Sequence, residues 1–192
     1  YRRSSRGLGD VYKRQILDSV IKLLLKRRRK TAKKLRKSLQ ADFDGTRQTE
    51  AEFVRRLNRV RPQVEQWLMN QLDVLACERD LLQSATTLVE LSSEHVLNEH
   101  TPPTETVAAG LLRLQALFRA AFMDLAGDVS REERISATPI HDIEGELDRL
   151  TGHIVEEMYS EQRSPRNTTI LLGIVLEMRD LQRELVRAAS WQ

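Results

Sequence analysis

His141 stands three residues before Glu144, and His153 three before Glu156. On a helix, residues three apart share a face, so each pair could offer two ligands to a metal ion. The di-iron helical bundles use the opposite order, Glu three before His, on two helices, and that order does not occur in this chain. The expectation is therefore surface histidines. His95 and His100 lie beside a loop without evident partners. A second set is acidic: Asp142, Glu144, Glu146, Asp148, Glu156 and Glu157 crowd one segment. Glu144 and Asp148, four apart, could bind a hard cation or do acid–base work. The same spacing describes the wet side of an amphipathic helix, and Arg149 is near enough in sequence to neutralise part of it, so we read it that way. Cys77, the single cysteine, excludes an internal disulfide and sits among Leu75, Leu81 and Leu82 as a buried thiol would. There is no phosphate-binding glycine loop, no recognisable Ser-His-Asp set and no cysteine pair for zinc. The expectation is a non-enzymatic protein with no catalytic, cofactor or metal site.

The residues best placed to do something are basic. Nine of the twelve from 26 to 37 are Lys or Arg: Lys26, Arg27, Arg28, Arg29, Lys30, Lys33, Lys34, Arg36 and Lys37. The net charge of +3 hides the asymmetry. Residues 1–38 carry 15 Lys and Arg against Asp10 and Asp18, a net +13, so residues 39–192 carry 16 against 26, a net −10. A basic segment on an acidic domain implies an anionic partner, either lipid head groups or nucleic acid. The block lacks interleaved aromatics for base stacking, and the acidic remainder would repel a polyanion. An anionic lipid surface is the expected partner and nucleic acid is not.

The apolar run Ile16–Leu25 leads straight into that block. Lys and Arg gather on the cytoplasmic side of membrane-spanning helices. The run would extend only about 15 Å as a helix, is interrupted by Asp18 and Lys22, and falls short of the roughly 20 residues a crossing needs. The expectation is the last turns of a spanning helix, with the block at the lipid head groups. Tyr1–Gln15 (YRRSSRGLGDVYKRQ) resembles translated sequencing-adapter text and is set aside as a probable artefact.

The elements that would carry these residues are helical throughout. A juxtamembrane helix is expected over 16–39. Residues 40–48, with Asp42, Asp44 and Gly45, read as a linker. A bundle domain is expected over 49–192. Thr49 and Glu52 form a capping box, followed by Phe53, Leu57, Val60, Val64, Trp67 or Leu68, Leu72, Leu75, Leu82 and Val89 on one face. That helix reaches about Leu97, kinked or restarted at Pro62. Thr101-Pro102, Thr138-Pro139 and Ser164-Pro165 each combine a cap with a proline at the first helical position. The helices they start carry Val107–Leu125, Ile140–Met158 and Leu171–Ala188 stripes, and Asp128–Ala137 between them is polar. The fold class is all-α: an antiparallel bundle of about four long helices, preceded by a basic amphipathic or truncated membrane helix.

LLLKRRRKTAKKLRK (Leu23–Lys37), followed by long helices such as ACERDLLQSATTLVEL (Ala76–Leu91), resembles the cytoplasmic helical tail of the fusaric-acid-resistance-like (FUSC) transporters, which include aromatic acid exporters. The resemblance covers 16–192 and carries no diagnostic motif, so no functional residue follows from it. It implies an inner-membrane efflux permease whose helical domain contacts the membrane-spanning part of the same chain and could form a homo-oligomer. A second resemblance is to the PhoU-like domains of sodium–phosphate symporters. It rests on DIEGELDRLTGHIVEEM (Asp142–Met158), and Glu144-x-x-x-Asp148 matches the carboxylate spacing of that family's metal sites. Only one such pair occurs.

Overall fold

The computed structural model describes residues 17–26, 29–57, 62–127, 138–160 and 164–189. The expectations for Tyr1–Gln15, Ile16, Arg27, Arg28, Asp128–Ala137 and Trp191, and for the side chains of Arg29 and Trp67, fall outside that description. Among the described residues six helices form: α1 (17–26), α2 (Arg29–Leu57), α3 (Pro62–Leu97), α4 (Glu105–Gly127), α5 (Thr138–Tyr159) and α6 (Pro165–Ala189). The described residues contain no strand, and the protein is all-α.

Apolar spacing dictates the bundle. Ile143, Leu147, Leu150 and Ile154 of α5 recur every three or four residues and are all buried. Leu171, Ile174, Met178, Leu181 and Leu185 of α6 do the same, as do Val107, Leu111, Leu114, Phe118 and Phe122 of α4. Neighbouring helices run antiparallel. Arg36–Glu90 at one level and Glu50–Arg79 at another tie α2 to α3. Arg113–Glu146 and Thr104–Glu157 tie α4 to α5. Arg187–Asp80 and Arg166–Glu94 tie α6 to α3. In space the order is α2, α3, α6, α5, α4.

α3 and α4 do not close that ring by packing on each other; α1 stands between them. Its Leu23 meets Val96 of α3, and its Asp18 accepts a bond from Gln115 of α4 at 2.5 Å. Leu17, Val20, Ile21, Leu23 and Leu24 are at most 3% exposed. At roughly 1.5–3 kcal/mol per buried side chain, these five contribute on the order of 10 kcal/mol of gross burial. Asp18, Lys22 and Lys26 fall on the opposite face of the same helix, so the charges that interrupt the run mark its outer side. The expected apolar helix end is thus found inside the bundle, where protein rather than lipid satisfies its hydrophobicity.

Three other expectations are corrected. Residues 40–48 are not a linker, because α2 runs unbroken through them. Leu35, Leu39 and Phe43 continue one core-facing stripe across the segment, Gln40 bonds Asp44 one turn on, and one interior glycine costs only about 1 kcal/mol. The described residues of the segment 16–39 belong to α1 and to α2, which continues to Leu57. Thr49 and Glu52 do not cap a helix; they lie mid-helix, with Thr49 donating to the Gly45 carbonyl and Glu52 paired with Arg56. Thr104, not Thr101, caps α4, its hydroxyl accepting from the Val107 amide at 3.3 Å. The Ser164 cap is found as expected, its hydroxyl accepting from the Asn167 amide at 3.4 Å. α3 begins at Pro62, the position read as a kink or a restart.

Candidate functional site

α2 has a single strongly apolar stripe, set by Leu35, Leu39 and Phe43, and it packs on the core through that stripe. Lys30, Lys33, Lys34 and Lys37 recur at intervals of three, one and three, so they line one face. At 100° per residue that face lies opposite Leu39, which is fully buried. All four lysines are exposed and form no ion pair among the described residues, as does Lys26 at the end of α1. Arg36 sits off this stripe and spends its guanidinium on Glu90 of α3, 3.1 Å away. The described side chains of the basic block therefore resolve into a lysine ridge directed away from the protein and Arg36, which bridges α2 and α3. With so much positive charge close together, the ridge is a strongly electropositive face.

The sequence-selected metal and acid–base candidates are not assembled into a centre. Glu144 and Asp148 are exposed. Asp148 is held by Arg179 of α6 at 2.5 Å, and the Glu144 carboxylate lies 3.9 Å from His141. His153 and Glu156 are 3.5 Å apart at the surface. No group of three His, Cys, Asp or Glu that could hold a metal ion occurs among the described residues.

Three side chains depart from their sequence reading. Glu146 and Glu157 are not on the wet side of α5. Glu146 is buried between α4 and α5, accepting from Arg113 at 2.8 Å and from Arg149, and Glu157 is buried and accepts from Thr104. Each lies three residues beyond a core isoleucine, Ile143 or Ile154, and that spacing was the available signal. His95 is not a surface histidine: it is 2% exposed and its ring stacks on His100 with centroids 5.5 Å apart. Cys77 is buried as expected, its Sγ 3.7 Å from the Glu184 carbonyl.

Among the described carboxyl groups, one is displaced. Burial pushes the Glu177 carboxyl up from its ordinary value; Asp180 nearby adds to this, and a hydrogen bond from Ser84 opposes it. Glu177 is on α6, which makes no contact with α2 and its lysine ridge.

Among the described residues, one helix is long and apolar enough to cross a membrane by length and composition, Glu105–Met123 of α4. Of that window, 39% is buried inside the protein, on the core face already described. No protein-family model matches this chain, and no curated protein or solved structure resembles it significantly.

Proposed function

We propose that this chain is a cytoplasmic helical domain of an inner-membrane transporter, structural or regulatory rather than catalytic, held against the anionic leaflet by its basic collar. The observation that carries the surface half of the reading is the ridge Lys30, Lys33, Lys34 and Lys37, exposed and directed away from the core on a domain that is otherwise acidic. Each lysine near an anionic leaflet contributes roughly 1 kcal/mol. The acidic remainder is repelled by the same surface, so attraction and repulsion together orient the domain with α2 toward the lipid. Because α1 is committed to the core, attachment through this region rests on charge, and the membrane spans belong to an upstream part of a longer chain. The transporter half rests on the resemblance of Leu23–Lys37 and its succeeding helices to the FUSC tails.

The test is co-sedimentation of the whole chain with vesicles containing about one-third phosphatidylserine, with neutral vesicles, and with a short nucleic-acid duplex as competitor. Binding to the anionic vesicles alone is expected, weakening as added salt shortens the Debye length below about 10 Å. Replacing Lys30, Lys33, Lys34 and Lys37 by glutamine should reduce it by about two to three orders of magnitude. Equal binding to neutral vesicles, or preference for the duplex, overturns the surface half. For the transporter half, the upstream reading frame should encode several stretches of about 20 apolar residues; a start codon beside Ile16 would remove it.

A further inference from the structure

The apolar character of α4 is not exhausted by the core. Opposite Leu111, Leu114 and Phe118 lies a second stripe, formed by Ala109, Leu112, Ala116, Ala120 and Met123 at spacings of three and four. Leu112 is 50% exposed and Met123 54% exposed, and Ala116 and Ala120 are exposed between them. The stripe is bordered on both sides by arginine. Arg119 on the α1 side bonds Asp18 at 3.3 Å, and Arg113 on the α5 side bonds the buried Glu146. Both guanidinium-bearing side chains keep about half their surface in solvent.

This stripe is continuous with the collar. Asp18, which holds Arg119, is one turn before Lys22, and Lys22 is one turn before Lys26, so the outer ridge of α1 leads from α4 to the start of α2. Lys22 and Lys26 are exposed along it. An apolar stripe with cationic margins, running into a lysine ridge, has the charge and apolar pattern that seats a helix at a lipid–water boundary: apolar side chains enter the acyl region while arginines and lysines stay among the phosphates.

We infer that the outer face of α4 is a lipid-inserting face, with Leu112 and Met123 entering the headgroup–acyl boundary of an anionic membrane beside the collar. The inference rests on the surface reading given above and adds a hydrophobic contact that charge alone does not provide. It commits to lipid because the exposed Lys22 and Lys26, which lead from this face to the collar, complement anionic head groups, while Arg113 and Arg119 are each held by a carboxylate.

The experiment compares four forms of the whole chain on the same vesicles: the parent, Leu112→Gln with Met123→Gln, the four-lysine variant, and Leu176→Gln. Leu176 is equally exposed but lies on α6, across the ring from α1 and α4. Circular dichroism first establishes that each is folded. The Leu112/Met123 variant is expected to bind anionic vesicles about tenfold more weakly with an unchanged salt dependence, and Leu176→Gln to bind as the parent does. Parent-like binding by the Leu112/Met123 variant overturns the inference and leaves the collar reading standing. Absence of parent binding to any vesicle overturns both. A parent that sediments as a dimer, made monomeric by the same two substitutions, assigns the face to a second copy and overturns the lipid assignment.

Discussion

Glu177 is the side chain whose ionisation works against the fold. Its carboxyl is raised by burial, and Asp180 adds repulsion, so the folded state holds a proton there more tightly than the unfolded chain does. Stability from that proton is present below the unfolded value and is lost as pH rises through the folded one. Glu177→Gln keeps a partner for Ser84 and removes the charge. We expect its melting temperature to exceed the parent's at pH 7 and the two to converge near pH 4, as thermal melts at both pH values would show. Glycines supply a second comparison. A Cβ on Gly145 or Gly152 of α5 meets nothing within 4 Å, so alanine at each should stabilise by about 0.5–1 kcal/mol. A Cβ on Gly110 would stand 2.8 Å from a methyl of Leu150, itself buried in the α4–α5 seam. There the helical gain is offset by overpacking of about 1–3 kcal/mol, and denaturant titration should rank Gly110→Ala below both others.

At the scale of the element, α1 decides between two environments for the same residues. With the side chain in the protein core, Ile21→Ala leaves a cavity and should cost the chain in plain buffer about 2–4 kcal/mol by urea denaturation. A helix that met only lipid would leave solution stability unchanged. Sequence could not make this choice by composition, because seven apolar residues in a run of ten satisfy a core or the end of a membrane helix equally well. The deciding pattern was nevertheless present: Asp18, Lys22 and Lys26 recur every four residues, which is the signature of a helix with one wet face. α2 teaches the converse. Asp42, Asp44 and Gly45 are local turn signals, and the stripe Leu35–Leu39–Phe43 outweighed them. Where a stripe met a clean stop, as at Ser164-Pro165, the boundary was readable to the residue.

For the whole molecule, the helical class and the bundle were legible because α4, α5 and α6 each carry an uninterrupted period near 3.6. The closing of the ring by α1 was not, since it depends on a contact between segments about a hundred residues apart. The collar was legible as a charge block, but its division into an outward ridge and the Arg36 clip needed the helix phase that Leu39 sets. The acidic remainder gives the molecule a strong charge polarity, and among the described residues most of that charge is worn on the surface, with Glu146 and Glu157 buried and Glu177 partly so.

The same long-range contact sets an order of events during synthesis. Asp18 meets Gln115 across 97 residues of chain. At about 5–20 residues per second, the ribosome finishes the first helix several seconds before its neighbour on α4 emerges. Through that interval five apolar side chains of α1 lack their α4 partner, so a segment made well before α4 can be seated only after it.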